Sequence, residues 1–455
     1  MLKTRFKTKT DIDITNGPLA SNIISFVIPI MITNILQMLY NAADMVVVGR
    51  YAGSIALAAA GASSPLINLT LNLFIGFGAG INSIVARYIG ARDEENTSHA
   101  VHTSYALAIW CGIGLTIIGV ILSRPMLMLM GTPDSVIDYS TIYTKIIFLG
   151  TPANLLYNFG AAILRSMGDT KRPLYFLTLS GIINVVLNLI FVVFFHMNVA
   201  GVALATIISQ YVSAALITIT LMRCDNACHL NLKKIRFHSK PLMHIIKLGL
   251  PAGIQSCTFS VSNVLIQSSV NSFGAEAMSG FSAGANIFNF PIVIMDAFAA
   301  AAIVFVAQNY GAKNYRRIIT SANLCNGMAA LVGLIMGFIV TDFGPTFINI
   351  YAPGETQVIA EGMKYLLAFR YFTLFGGING VSTSALRGLG RSFVPMLISI
   401  AGICGLRIVW IYTVFTKSHT LDTLFMSYPI SWIITSVTCA IMFYVLSVKL
   451  VKKNV

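Results

Sequence analysis

Charge is scarce in this sequence. Its 455 residues include 30 Lys and Arg and 16 Asp and Glu, only 10% of positions, where a soluble domain carries roughly 25%. With 56% apolar residues and a mean hydropathy of +0.78, such a chain belongs in lipid. There is no alternation of polar and apolar residues of the kind a membrane β-barrel needs. The sequence has no H-E-x-x-H, no G-x-S-x-G and no Walker A run, so neither an enzyme nor an ATP-driven machine is expected. No cofactor is expected either.

Cysteine is sparse too. Of seven, Cys111, Cys257, Cys325, Cys404 and Cys439 lie in or near apolar runs. Cys224 and Cys228 stand beside His229 in a polar segment, without the second pair that a four-ligand zinc site requires. The net charge of +14 would suggest nucleic acid in a soluble protein. Here the basic residues sit in short loops between apolar runs, where they record membrane orientation, so no nucleic-acid partner is expected.

What the chain does contain is long apolar runs, and a helix of about 20 residues crosses a bilayer. Twelve runs can be drawn, at 22–48, 54–86, 100–122, 138–163, 174–196, 200–222, 243–271, 276–307, 319–341, 358–386, 393–416 and 422–448. Lys3, Arg5, Lys7 and Lys9 precede the first, which begins near Leu19 and is too long for a signal peptide's apolar core. With both termini cytoplasmic, 22 of the 30 basic residues fall on that side. The opposite loops hold only Arg50, Arg124 and Lys417, and five lie within the runs as drawn. The expected fold is an all-α polytopic membrane protein of 12 transmembrane helices, in the cell (plasma or inner) membrane, with the lipid bilayer as its surroundings.

The sequence also repeats. Val85-Ala-Arg-Tyr-Ile-Gly-Ala-Arg92 aligns with Val306-Ala-Gln-Asn-Tyr-Gly-Ala-Lys313 at an offset of 221, and Leu164–Pro173 aligns with Leu386–Pro395 at 222. Pro29 and Pro251 are also 222 apart. One offset shared by three matches marks an internal duplication. Six spans per half give a parallel repeat, with a site near the midplane. The division expected is an N-lobe at 1–222, a polar cytoplasmic linker at 223–242 and a C-lobe at 243–455.

Polar residues inside the runs are the candidate site. A carboxylate at the bilayer centre costs about 2.5–3.5 kcal/mol on insertion scales, so it faces a cavity or a partner. Asp44 shares a helix face with Asn34, Gln37 and Asn41, and Tyr40 borders that face. The fourth run carries Thr151, Asn154 and Asn158, the fifth Asn184 and Asn188, and the sixth Thr206. One carboxylate with several amides and a hydroxyl suits a proton or a hard cation such as Na⁺, by extension from the oxygen preference of hard divalent ions. Beyond that Na⁺ at Asp44, no metal is expected. Asp296, with Asn286 and Asn289 on neighbouring turns, has two readings: a structural pairing with Arg370 or Arg407, or a second cation or substrate site. Pro29 is a candidate hinge, because proline removes a backbone donor and kinks a helix.

Taken together these features resemble the MATE (multidrug and toxic compound extrusion) family, nearest its DinF-like and MepA-like members. The residues that carry the likeness are Pro29–Gly49, Val306-Ala-Gln-Asn-Tyr-Gly-Ala312, the Leu-Arg-x-x-Gly sequences at 164–168 and 386–390, and Gly201-Val-Ala-Leu-Ala-Thr206. The resemblance implies two six-helix lobes around a cavity that alternates between membrane faces. It implies export of amphipathic or cationic small molecules in exchange for H⁺ or Na⁺. It also implies a cation site at Asp44 with Asn158, Asn184 and Thr206, near Gln37 and Tyr40; Asn188 belongs to the same group by spacing. Asn41, Asn154, Asp296 and Arg407 are assigned to the substrate cavity or its support, and a monomer is expected. One departure is that Asn188 stands where such proteins usually carry an acid, leaving H⁺ or Na⁺ coupling open. A lipid-linked precursor flippase and a channel or receptor are the alternative functions.

Overall fold

In a computed structural model describing residues 12–454, the chain is all-helical. The basic residues Lys3, Arg5, Lys7 and Lys9 lie outside the described residues. The helices are α1 (Leu19–Val47), α2 (Ser54–Gly90), α3 (Glu94–Leu129), α4 (Asp134–Leu149), α5 (Thr151–Ser166), α6 (Lys171–Leu189), α7 (Asn198–Met222), α8 (Ser239–Asn271) and α9 (Ala275–Gly311). They continue with α10 (Tyr315–Asp342), α11 (Gly344–Tyr351), α12 (Thr356–Phe369), α13 (Thr373–Gly388), α14 (Phe393–Ser399), α15 (Leu406–Trp410), α16 (Thr416–Ser418), α17 (Leu421–Phe425) and α18 (Ser427–Asn454). Four π-helical turns interrupt them, at Val48–Ala52, Ile190–Phe194, Ile400–Gly405 and Ile411–Phe415.

Among the described residues, nine helical stretches are long and apolar enough to cross a bilayer. A tenth is α4 with α5, bent by 44° where Gly150 and Pro152 break the run. Two of the twelve expected runs behave differently. The seventh falls on α8, which carries Gln255, Ser256, Thr258, Ser260, Ser262, Asn263, Gln267 and Ser269 and so has little apolar excess. The tenth is divided between α12 and α13. Side chains on the outside are apolar even where fully accessible, as with Leu129 at 88% and Phe194 at 75%; lipid is the medium that such a surface fits. Serine and threonine hydroxyls satisfy themselves on carbonyls one turn back, as Ser104 does on Ala100 and Thr218 on Ala214.

The duplication is visible in the backbone. Left-handed residues occur in pairs at nearly the repeat offset: Arg92 and Lys313, Gly168 and Gly390, His196 and His419. The two halves therefore share their turn chemistry even where side chains have diverged.

The chain divides into two compact units. One contains Ile32–Gly249, and the other Asp13–Met31 with Leu250–Val455. Relative to the expected lobes, the amino-terminal part of α1 groups with the second unit and the first turns of α8 with the first. Each change falls within two residues of a helix proline, Pro29 in α1 and Pro251 in α8.

In lipid there is little hydrophobic drive between helices, and close packing of small residues takes its place. In the first unit, a Cβ on Gly80 would lie 2.8 Å from the Gly249 backbone nitrogen, so α2 and α8 cross in backbone contact. Tyr105 and Phe159 fill the core between α3 and α5. The second unit has an aromatic core: Phe288 stacks on Phe369 at 4.2 Å between ring centres, and Phe369 lies 5.1 Å from Trp432. There a Cβ on Gly280 would come within 2.6 Å of the Gly362 nitrogen. Phe26 of α1 meets Phe305 edge-on at 5.6 Å, and Arg317 donates to the carbonyls of Ile14 and Gly17.

Candidate functional site

Asp44 stands one turn before the π-helical turn at Val48–Ala52, and Asn188 stands just before the one at Ile190–Phe194. Such turns concentrate at functional sites, because they re-aim side chains and free carbonyls. The Asn188 amide donates to Asp44 Oδ1 at 2.5 Å, and the Thr206 hydroxyl lies 3.4 Å from Asp44 Oδ2. Asn188 Nδ2 also reaches Asn184 Oδ1 at 3.3 Å, and Asn184 Nδ2 reaches Thr206 at 3.4 Å. Helices α1, α6 and α7 thus converge on one carboxylate. Asn188 and Asn184 are buried while Asp44 is half-buried. Beyond them Val47, Val48, Val192, Val199 and Val202 form an apolar plug.

The electrostatics of this cluster are one-sided. Among the described residues no Lys or Arg pairs with Asp44, and the Asn188 Oδ1 carbonyl oxygen is buried without a partner. An unsatisfied buried acceptor costs about 1–3 kcal/mol. A cation, or a donor introduced with a proton, would satisfy both groups. Asn188 Oδ1, Asn184 Oδ1, the Asp44 carboxylate and Thr206 Oγ1 are all hard oxygens, the donor chemistry that alkali and alkaline-earth ions prefer. Tyr143 of α4 packs against the apolar plug.

Other expected members of the site have other partners or are exposed. Asn158 donates to the carbonyl and side chain of Asn154, one turn back on the same helix, at 2.9 and 3.0 Å. Tyr40 donates to the Thr178 carbonyl at 3.3 Å, and its ring lies against Gly181, where a Cβ would sit 1.8 Å from Tyr40 Cζ. It seats α1 on α6. Gln37 and Asn41 are exposed. Thr151 and Asn154 border a small cleft with Thr70 and Gln210, lined also by the apolar Ile67, Leu71, Ile147 and Phe148. Gln210 escaped the sequence reading, although it lies one turn beyond Thr206.

The second unit corrects the pairing expected for Asp296. Arg370 is engaged by Asp342 at 2.8 Å and lies over the Phe338 ring, and Arg407 is engaged elsewhere. The charge that acts on Asp296 is Arg387, which also donates to Gln255 Oε1 at 2.6 Å; Gln255 donates in turn to Ser399 at 2.6 Å. Asp296 shares the accessible stripe of α9 with Asn286 and Asn289. Arg387 belongs to the Leu-Arg-x-x-Gly repeat, which was the available signal. Arg407 is 2% exposed; it donates to Ser431 at 3.2 Å, Ser262 at 3.1 Å and Asn263 at 3.5 Å, and sits 4.0 Å over the Tyr428 ring. His229, suspected beside the cysteines, has its Nδ1 3.1 Å from the Cys224 carbonyl.

A duplicated bundle of apolar helices that buries a carboxylate among amides is the architecture of a multi-pass membrane transporter. The chain belongs to the MatE family, whose model matches residues 29–190 and again 251–413, once in each half. It is 27% identical over 421 residues to the probable multidrug resistance protein YoeA of Bacillus subtilis, covering 90% of each chain. With the probable multidrug resistance protein YpnP of the same organism it shares 29% identity over 397 residues, covering 87% of this chain and 88% of that one. Its fold superposes on a MOP superfamily transporter from Pyrococcus furiosus with a TM-score of 0.91 at 22% identity, covering 98% of this chain and 99% of that chain. The protein is a multi-pass transport protein of the cell membrane.

Proposed function

We propose that this protein is a multidrug exporter that moves amphipathic or cationic small molecules out of the cell in exchange for H⁺ or Na⁺. The relatives named as multidrug resistance proteins support the exporter reading. The observation that carries the coupling is the convergence of Asn188, Asn184 and Thr206 on Asp44, with no basic partner among the described residues and a buried acceptor left unsatisfied.

In this reading the chain crosses the membrane twelve times, with α8 and the α12–α13 pair as the two less apolar crossings. Both termini are cytoplasmic, consistent with 22 basic residues on that side and three on the other. The ion enters at Asp44 in the outward-facing state and is held by the carboxylate and the α6 amides. Its binding satisfies groups that otherwise stay unpaired, and this favours the state that releases substrate. Pro29 lies where α1 changes unit and is the proposed hinge. Asn41, Asn154, Gln37 and Asp296 line the route of the substrate. The protein acts as a monomer without a cofactor. The membrane potential supplies about 2.3 kcal/mol per charge per 100 mV, so one cation sustains a roughly fiftyfold gradient of an uncharged substrate.

The test is efflux of a fluorescent organic cation from proteoliposomes under a pH gradient and, separately, a Na⁺ gradient. Transport driven by one gradient supports the antiporter and names its ion. Flux that ignores both gradients points to a channel, and its absence with organic cations alongside movement of a lipid pyrophosphate points to a flippase.

A further inference from the structure

The Arg407 centre is the counterpart, in the second half, of the Asp44 centre in the first. At the repeat offset of 222, Ser262 and Asn263 correspond to Tyr40 and Asn41, Tyr428 to Thr206, and Ser431 to Ser209. Arg407 lies on the segment equivalent to α6, one residue beyond the counterpart of Asn184. The same three-helix junction therefore holds a carboxylate in one half and a guanidinium in the other. Both centres adjoin π-helical turns; those around Arg407 are Ile400–Gly405 and Ile411–Phe415.

Arg407 is buried with neutral partners alone. Its hydrogen bonds go to Ser431, Ser262 and Asn263, and its plane lies over Tyr428. Among the described residues no carboxylate reaches it, unlike Arg370 with Asp342. Removing a guanidinium from water is costly unless an anion compensates it. Asn263 is exposed, so the centre opens on that side. Ser431 donates its hydroxyl to the Tyr428 carbonyl at 2.8 Å. The Ser262 hydroxyl can rotate to donate, and with the guanidinium it makes a set of donors suited to a compact anion.

We propose that this junction is an anion-binding site, taking one monovalent anion: a halide, or the carboxylate of an amphipathic molecule. The exporter reading bears only on whether that carboxylate belongs to a transported compound, and binding at Arg407 is testable without transport.

The probe is iodide, which quenches tryptophan fluorescence on contact. Trp410 is three residues from Arg407, and Trp432 follows Ser431. Trp110, exposed in the first unit, is changed to Phe to remove its signal. At constant ionic strength, the purified W110F protein is expected to show a saturable quenching component, and Arg407→Gln to raise its half-saturation concentration at least tenfold. Arg407→Lys keeps the charge but not the planar fork, and is expected to fall between them. Relief by chloride identifies a halide site; relief by benzoate but not chloride identifies a carboxylate site. Purely linear quenching in W110F overturns the proposal whether or not the Arg407 variants fold, and so does unchanged saturation in a folded Arg407→Gln.

Discussion

Asn188 donates its amide to Asp44 at 2.5 Å while its own carbonyl oxygen stays buried without a partner. The pair therefore holds one ionisable group and one neutral ligand. Replacing Asn188 by Leu removes a hydrogen bond to a charged group, worth about 1.5–3 kcal/mol. A coupling Na⁺, which also loses the Asn188 Oδ1 ligand, should then bind more weakly. A coupling proton should instead bind more tightly, because the lost donor favoured the ionised carboxylate. The half-saturating ion concentration for export reads which. Asn188→Asp should act differently: two carboxylates in contact cannot both ionise readily, so one retains a proton to higher pH. Export should become proton-dependent over a more alkaline range, and unchanged pH dependence would argue against a shared site.

Tyr40 and Gly181 form the seat between α1 and α6 that sets the spacing of Asp44 and Asn188. A Cβ at position 181 would fall inside the Tyr40 ring, and overpacking of this kind costs about 1–3 kcal/mol. Gly181→Ala should lower the melting temperature of the purified protein and depress export. Tyr40→Ala in the same chain should recover part of the stability, because it removes the colliding ring. Additive losses in the double variant would place the strain elsewhere.

The polar segment after α7 is docked on α3 through histidines. The His238 ring stacks on His99 at 3.8 Å, and its backbone donates to Thr103. The Asn231 amide donates to His102 Nε2 at 3.1 Å while His102 Nδ1 faces the Ser98 carbonyl at 2.7 Å, an arrangement that needs a neutral His102. Burial first, then His99, Arg236 and His102, push the His238 pKa below its usual 6.5. Lys234 and His229 add positive charge around His102. A folded pKa below the unfolded one means that docking is at full strength above about pH 6.5 and is lost as pH falls below it. Amide exchange over residues 224–238 should therefore accelerate between pH 7.5 and 5.5 after correction for intrinsic rates. His99→Gln should flatten that dependence.

Asp296 and Arg387 make a second testable pair. Arg387→Met leaves Asp296 without its neighbouring cation and Gln255 without its donor. Losing a hydrogen bond made by a charged group to a buried amide typically costs about 1.5–3 kcal/mol. The variant should be poorly stable, and Asp296→Asn in the same chain should restore much of the loss. Arg370→Met, whose ion pair with Asp342 is partly solvent-exposed, should cost about 1 kcal/mol or less.

Much of this was legible in the sequence for a physical reason. Lipid forbids unpaired backbone and penalises charge, so apolar length marks the helices and each polar residue within them stands out. Asp44, Asn184, Asn188 and Thr206 were visible as such residues, and the duplication aligned the halves. What the sequence did not carry was distance between helices. Asn158 pairs within its own helix, Tyr40 turns to Gly181, and Asp296 answers to Arg387 rather than to Arg370 or Arg407. The π-helical turns beside Asp44, Asn188 and Arg407 have no sequence signature, since they depend on how neighbouring helices pull on the backbone.

The most direct test separates transport from coupling. In proteoliposomes, Asp44→Asn should still exchange labelled for unlabelled organic cation at equilibrium, because the fold and the substrate route are intact. It should lose accumulation against a concentration difference under either a pH or a Na⁺ gradient, where the wild type accumulates under one of them. Gradient-driven accumulation by Asp44→Asn at wild-type level would contradict the account and move the coupling site away from Asp44.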